Sequence, residues 1–253
     1  ADEALRAIGA AGDIFERLSF DLIYARPDQT EQQWRQELTR AIEVLHNAGG
    51  AHLSCYQLTI EDNTPFKTDY ERGAFTLPDE DGGSTLFDVT QDILESAGLP
   101  AYEISNHAQP GDACQHNVHV WQGGMYAGIG PGAHGRVCID GAVHATRKHK
   151  PPAQWLKNVM APGSNGGHST VEDTALTPEA RAQERVMLGL RLTEGLDLAA
   201  LEQATGLGRF KVISQEALES LESEGLIARS SDCVRTTARG RLVLNGVIGA
   251  LLA

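Results

Sequence analysis

The chain has 253 residues, of which 41% are hydrophobic and 22% are charged, so it can build the core of one large domain or of two smaller ones. Its 34 acidic and 21 basic side chains leave a net charge of −13, which disfavours a nucleic-acid-binding protein held by phosphate contacts. The longest apolar stretch, residues 242–253, is too short to cross a bilayer, and without a secretory signal pattern we expect a cytoplasmic protein.

The first third of the sequence alternates between strand and helix patterns. It opens inside a helical pattern at Ala1, and we expect that more of the protein lies upstream. Strands are predicted at 19–25, 52–60 and 102–105, with one helix starting at a Thr30 capping box and a second carrying apolar residues between 86 and 97. This order predicts an α/β fold with parallel crossovers and a ligand site at the carboxyl ends of the strands.

The remainder of the chain divides at a predicted linker. Residues 161–176 are rich in Gly and Ser at their start, and they separate a predicted domain at 1–160 from another at 177–253. Three helices, two short β-rich pieces and a last helix from about Ala238 make the second domain similar to a winged-helix module. Because this module is acidic, a structural or docking role is favoured over DNA binding.

The middle segment, 111–170, differs from the rest in charge. It holds five basic and two acidic side chains and six of the nine histidines. A net-positive stretch in an acidic chain would attract an anionic ligand. We therefore expect a ligand site in this segment.

Two parts of this segment are candidates for the site. His116 and His119 are three residues apart, so on a helix they would share a face and could bind a metal. On spacing alone, two polar loop histidines are the favoured interpretation, because H-x-x-H is common. Residues 123–136 are rich in glycine and end at His134 and Arg136, which favours close approach of the backbone to a ligand. Gly128, Gly130 and Ala133 match G-x-G-x-x-A, but no helix pattern follows, so a dinucleotide site is not indicated.

A third candidate is Asp21, a carboxylate in an otherwise apolar strand. Such a residue is costly to bury unless it is paired or binds a ligand. A ribose hydroxyl pair and a structural partner such as Arg26 are both compatible with the sequence.

Several segments, taken in order, resemble a known family. They are FDLIYARPDQT (20–30), LSCYQLTIEDNTPF (53–66), AYEISNHAQPG (101–111), CQHNVHVWQGG (114–124), GIGPGAHGR (128–136), LTPEARAQERVMLGLRLTEGLDL (176–198) and TTARGRLVLN (236–245). Together they resemble the HemW heme chaperones, the relatives of oxygen-independent coproporphyrinogen III oxidase in the radical S-adenosylmethionine superfamily. The resemblance covers essentially the whole chain.

The resemblance implies the second half of a TIM-like (β/α) barrel followed by a winged-helix-like C-terminal domain. It implies S-adenosylmethionine and a [4Fe-4S] cluster for the full-length family member, with Asp21 and, less securely, Thr59 as adenosylmethionine contacts. It also implies heme at an H-N-x-x-Y-W motif, matched here by His116, Asn117 and Trp121. His116 is then the candidate iron ligand. The positively charged side chains expected beside the heme propionates are those of Arg136, Arg147, Lys148 and Lys150, and His134 lies in the same segment.

The sequence also departs from the family pattern. No C-x-x-x-C-x-x-C spacing occurs among Cys55, Cys114, Cys138 and Cys233, so we expect this chain to bind no cluster. Val120 stands where the heme motif has Tyr, and Asp28 and Met125 replace a usual Gly and a usual Asp.

The resemblance supports a heme-binding protein that passes heme to a hemoprotein or a respiratory-chain protein, with membrane association only through such a partner. Two alternatives remain open. One is radical decarboxylation of coproporphyrinogen in porphyrin biosynthesis, and the other is a cluster-less interaction scaffold. Nucleic acid is not expected as a partner.

Overall fold

The computed structural model describes residues 2–161 and 169–253. It is a mixed α/β structure with two compact units, Ala1–Cys114 and Gln115–Ala253. This division differs from the predicted domains 1–160 and 177–253. The segment after residue 114 belongs with the C-terminal part because it pairs with a strand at 170–175 and hydrogen-bonds to a helix that starts at 178.

The first unit alternates helices and strands around a three-stranded sheet. Its elements are α1 (Asp2–Ile14), β1 (Ser19–Tyr24), α2 (Glu31–Asn47), β2 (His52–Gln57), α3 (Pro65–Glu71), α4 (Glu80–Ser96) and β3 (Asn106–Ala108). The sheet order is β1-β2-β3, and β1 and β2 are parallel as predicted. The T-x-x-Q signal is also confirmed, since Thr30 caps α2 through a capping box.

The third predicted strand was wrong in position and direction. It lies at Asn106–Ala108 instead of 102–105, and it runs antiparallel to β2. The chain reverses at 101–105, where Tyr102 N donates to Asn106 O at 3.1 Å and the Glu103 carboxylate accepts from Ser105 N at 3.1 Å. This turn brings the chain back along β2 in the opposite direction, so the α4 connection is not a parallel crossover.

The core of this unit lies between the sheet and helices α2 and α4. Trp34 is fully buried, stacks on Tyr24 with ring centroids 5.2 Å apart, and donates from Nε1 to Thr90 Oγ1 at 2.9 Å. Leu38 and Leu45 continue the buried stripe of α2. The opposite face of the sheet carries Asp21.

The second unit contains two antiparallel sheets and several helices. Its elements are α5 (Gln115–Trp121), β4 (His134–Ile139), β5 (Ala142–Lys148), α6 (Pro152–Val159), β6 (Thr170–Ala175), α7 (Pro178–Gly189), β7 (Leu196–Asp197), α8 (Leu198–Thr205), α9 (Gln215–Ser223), β8 (Ile227–Arg229), β9 (Cys233–Thr236), α10 (Ala238–Leu242) and α11 (Leu244–Leu251). The sheet orders are β4-β5-β6 and β7-β9-β8.

The predicted linker 161–176 is only partly a connection. Residues 162–168 lie outside the described part of the chain, but Thr170–Ala175 forms β6 and pairs with β5. The sequence analysis also missed the β4–β5 hairpin, although its Asp140-Gly141 turn has the positive φ angles that favour a two-residue hairpin turn. No helix in the described ranges is long and apolar enough to cross a membrane.

Candidate functional site

Helix α5 carries the three residues that match the predicted heme-binding motif, His116, Asn117 and Trp121. His116 is exposed, and its Nδ1 lies 3.4 Å from Asn117 Oδ1. Its Nε2 makes no hydrogen bond to any residue in the described part of the chain. Val120 lies one helical turn further on, on the same face as His116. The structure therefore leaves one imidazole nitrogen of His116 accessible from solvent.

His119 has a different role from His116. Its Nε2 lies 2.8 Å from the Met125 carbonyl oxygen, so the ring is tied to the turn that follows α5. A Cβ atom at Gly124 would lie 2.2 Å from His119 Nε2, which means that only glycine leaves room for the ring. The two histidines of H-x-x-H thus differ in their contacts. The described residues contain no group of three His, Cys, Asp or Glu side chains that could hold a metal ion.

Trp121 does not face the same direction as His116. Five helical residues separate them, which places their side chains about 140° apart around the α5 axis. Trp121 is half-buried and lines a cleft of about 730 Å³ together with Arg185 and Leu192. The Arg191 guanidinium carbon lies 5.7 Å from the centre of the Trp121 ring, a cation–π contact.

The turn after α5 is held by two arginines of helix α7. Arg181 Nη2 donates to the Gly123 carbonyl oxygen at 2.6 Å, and Arg185 Nη1 donates to the same oxygen at 3.2 Å. Burial and the neighbouring Arg181 lower the pKa of Arg185. Sequence reasoning missed both arginines because 58 and 62 residues separate them from Gly123, and only the helical spacing of Arg181 and Arg185 hinted at a shared face.

Tyr126 returns the chain to the side of His116. Its ring centroid lies 6.5 Å from that of His116, with the two planes at 70°. Its backbone pairs with that of Arg136 through two hydrogen bonds of 2.8 Å. The glycines of this segment serve that pairing, because a Cβ at Gly128 would lie 2.3 Å from the His134 carbonyl oxygen.

The structure does not offer Arg136 as an open anion contact. Its Nε donates to Glu184 Oε1 at 2.8 Å, and 21% of the Arg136 and 15% of the Glu184 side chain are exposed. The charge of Arg136 is thus compensated in this structure, and its contact with a propionate stays a prediction. His134 begins β4, is exposed, and lies in register with Arg147.

The other expected propionate partners differ in their contacts. Arg147 forms a two-bond ion pair with Glu172, so its charge is also compensated. Lys148 Nζ donates to Thr170 Oγ1 at 2.8 Å, and among the described residues no carboxylate forms an ion pair with it. Lys150 is exposed, and no ion pair involves it within the described residues.

Asp21 and Thr59 lie in the first unit and are not brought together. Asp21 is exposed and lies opposite Ser54, whereas Thr59 follows the end of β2, five residues beyond Ser54. Because the carboxylate of Asp21 faces solvent, it needs no buried partner, and Arg26 binds Glu37 instead. An exposed carboxylate on this face of the sheet has the chemistry to accept ribose hydroxyls.

The four cysteines are distributed over separate elements. Cys55 is buried in β2, where burial and the charge of Asp21 raise the pKa of its thiol to about 12. Cys114 precedes α5, Cys138 lies on β4 and Cys233 on β9. Since a [4Fe-4S] cluster needs several thiolates converging on one place, the described residues do not fit such a cluster.

Comparison with known proteins gives the class. Residues 176–243 match the model of the HemN C-terminal domain. The fold resembles the solved structure titled "Coproporphyrinogen III oxidase (HemN) from Escherichia coli is a Radical SAM enzyme", with a TM-score of 0.75 and 19% identity over 100% of this chain and 58% of that one. These findings define a mixed α/β protein with the fold of HemN and a HemN-type C-terminal domain.

Curated relatives identify the family within this class of proteins. The chain is 31% identical to the heme chaperone HemW of Mycobacterium tuberculosis over 98% of its own length and 58% of the relative. It is 32% identical to HemW of Escherichia coli, covering 99% of this chain and 62% of that protein. A mitochondrial radical S-adenosyl methionine domain-containing protein 1 of Mus musculus is 32% identical over 100% of the chain and 57% of the relative. The chain is therefore a HemW-like member of the radical SAM family, and it spans about three fifths of these relatives.

Proposed function

We propose that this chain is part of a protein that binds heme and passes it to a hemoprotein, with the heme iron bound by His116. The carrying observation is the accessible imidazole of His116 beside a structurally engaged His119. A neutral imidazole is a common axial ligand for heme iron. The relatives named heme chaperones support the same reading.

Asn117 gives the histidine a preferred state for this task. A His ligand binds iron through one ring nitrogen while the other donates a hydrogen bond that sets the tautomer. Asn117 Oδ1 lies 3.4 Å from His116 Nδ1 and is an acceptor for an Nδ1–H group, which leaves the Nε2 lone pair facing outward. The adjacent His-Asn pair of the motif thus has a physical role that needs both residues.

The charge distribution suits an anionic ligand. Residues 111–170 hold five basic and two acidic side chains, and Lys148 and Lys150 carry charges that no carboxylate neutralises within the described residues. We propose these two lysines as contacts for the heme propionates. We propose that Trp121 supports the site from the interior side of α5, where it lines the cleft.

The finer architecture also belongs to this proposal. The sheet β1-β2-β3 with α2 and α4 corresponds to the second half of a TIM-like barrel, and the elements from α7 to α11 to a winged-helix-like module. S-adenosylmethionine, when bound in the full-length protein, would supply radical or regulatory chemistry, with Asp21 holding its ribose and Thr59 a weaker contact. A hemoprotein or respiratory-chain acceptor and a cytoplasmic location stay predictions.

A heme titration followed by absorbance tests the assignment. Wild type, His116→Ala and His119→Ala are titrated with hemin, and their melting curves are compared to exclude unfolding. We expect His116→Ala to lose the Soret shift and the affinity, whereas His119→Ala keeps the shift with reduced stability. An unchanged titration of His116→Ala would contradict the proposal, and loss only in His119→Ala would move the ligand by three residues.

Coproporphyrinogen decarboxylation is not proposed as a second function. Its support is the likeness to HemN, which at 19% identity speaks for the fold. The described residues also offer no converging cysteines for the cluster that such radical chemistry requires.

A further inference from the structure

We infer that Tyr126 is a positioning residue of the heme site, because its ring fixes the plane of the His116 imidazole. The inference rests on the proposed function, since it concerns the orientation of the proposed iron ligand. Tyr126 lies outside the H-N-x-x-x-W residues of α5, and it reaches His116 only because the chain reverses after Gly124.

The first argument is the geometry of the two rings. Their centroids are 6.5 Å apart and their planes meet at 70°, which is an edge-to-face arrangement within the usual range for aromatic pairs. Within the described residues, the one side-chain hydrogen bond of His116 is its 3.4 Å approach to Asn117. A histidine on an exposed helix face rotates readily about χ1 and χ2, so the Tyr126 edge restricts a side chain that is otherwise loosely held.

The second argument is that Tyr126 is itself held firmly. Its N–H and C=O pair with those of Arg136, each bond being 2.8 Å long. Arg136 in turn donates to Glu184 of α7 at 2.8 Å. The Tyr126 backbone therefore has the restraint of a paired strand that is tied to a helix, which is what a positioning residue requires.

The turn between α5, which carries His116, and Tyr126 is itself held in place. Its Gly123 carbonyl accepts from Arg181 and Arg185, and its Met125 carbonyl is bound by His119. Both ends of the turn are therefore pinned. His116 and Tyr126 have a defined separation before any ligand arrives, and a pre-oriented ligand loses less conformational freedom on binding iron.

Val120 adds a reason why Tyr126 matters in this chain. It lies one helical turn from His116, where the family motif has Tyr. A valine there cannot contact the imidazole with an aromatic edge. The ring contact to His116 thus comes from Tyr126.

The test compares hemin titrations of wild type, Tyr126→Phe and Tyr126→Leu. Phe keeps the ring edge, and Leu keeps apolar volume and the backbone pairing but removes the ring. We expect Tyr126→Phe to bind within twofold of wild type. Tyr126→Leu should bind about three- to tenfold more weakly, the range given by an edge-to-face pair. Phe210→Leu, at an exposed aromatic residue of the same unit, is the matched control and should bind as wild type does.

Electron paramagnetic resonance of the ferric complexes adds a readout that a purely structural role would not change. The g-values should match in wild type and Tyr126→Phe. The resonance lines should be broader in Tyr126→Leu, because the imidazole plane is then unrestrained and its orientations spread. Affinity and resonance lines unchanged in Tyr126→Leu would overturn the inference, and so would equal weakening in Phe and Leu, which would assign the effect to the phenol hydroxyl. His116→Ala distinguishes failure of the proposed function from failure of the Tyr126 inference. If His116→Ala binds heme as wild type does, the proposed function fails. If His116→Ala loses heme while Tyr126→Leu keeps it, only the role of Tyr126 fails.

Discussion

The Arg136 guanidinium donates to the Glu184 carboxylate at 2.8 Å and thereby joins strand β4 to helix α7. Arg181 lies 4.0 Å from the other oxygen of the same carboxylate. Glu184 is therefore the counter-charge of two arginines, one beside Tyr126 and one that holds the Gly123 carbonyl. Glu184 therefore supports two of the contacts that surround the turn after α5, the Arg136 pairing with Tyr126 and the Arg181 bond to Gly123.

Removing the charge of Glu184 should destabilise the second unit. In Glu184→Gln the guanidinium groups of Arg136 and Arg181 would keep their burial but lose their counter-ion, which we expect to cost about 2 kcal/mol of unfolding free energy, discounted from a fully buried pair because both partners retain some exposure. Urea denaturation of wild type and Glu184→Gln measures this difference in unfolding free energy. Glu172→Gln is the control, because the Arg147–Glu172 pair is open to solvent and its loss should change the unfolding free energy much less. Equal costs for the two variants would contradict the role of Glu184.

Gly124→Ala should break the contact between His119 and Met125. The new Cβ would lie within 2.3 Å of two atoms of the His119 ring, so the ring must move. Because the exposed ring can rotate away, we expect the loss of about 1 kcal/mol that belongs to one hydrogen bond, together with weaker heme binding. Gly249→Ala, in helix α11 with nothing within 4 Å of the added atom, should instead stabilise the protein slightly. Wild-type stability of Gly124→Ala would show that the His119 contact is dispensable.

The stability of the first unit should fall as the pH drops below 6.5, the pKa of an ordinary histidine. His52 is buried, lies 2.7 Å from Ser19 Oγ and 2.8 Å from Tyr102 OH, and desolvation lowers its pKa from the usual 6.5. The unfolded chain then binds a proton that the folded chain does not, so the stability is complete above pH 6.5 and is lost as the pH falls through the lowered folded value.

Chemical denaturation at several pH values checks this prediction. Burial raises the pKa of Glu103 above its usual 4.5, so Glu103 adds a pH dependence of opposite sign at pH values above 4.5. The difference between wild type and His52→Gln removes this contribution and isolates that of the histidine. The variant should lose the part of the pH dependence just below 6.5. Parallel stability curves for the two proteins would rule out His52 as the cause.

Reconstitution with iron and sulfide under anaerobic conditions should give no stoichiometric [4Fe-4S] chromophore. Cys55 is buried with a thiol pKa of about 12, which disfavours the thiolate that iron needs. The other three cysteines lie on separate elements. A brown protein with four irons and four sulfides per chain would refute the prediction.

Local signals predicted the elements of this chain better than their assembly. The capping box at Thr30 is present as expected, because it depends on neighbouring residues. The direction of β3 depends on how the Glu103 turn folds the chain back, and a strand pattern does not carry that information. The Asp140-Gly141 hairpin turn was readable from the sequence and was overlooked.

In the candidate site, too, the sequence predicted individual residues but not the contacts between them. The motif singled out His116 and Asn117, but the separate roles of His116 and His119 follow from where Met125 lies after the turn. The clamp on Gly123 and the Arg136–Glu184 pair join residues that are 48 or more positions apart. Such contacts follow from tertiary packing, which sequence periodicity does not encode.

The most direct test of the account identifies the atom that binds the iron. Resonance Raman spectra of the ferrous heme complex should show an iron–histidine stretching band in wild type and in His119→Ala. The band should be absent in His116→Ala and return when imidazole is added, since free imidazole can occupy the vacated position. A band that persists in His116→Ala without added imidazole would contradict the central claim that His116 binds heme.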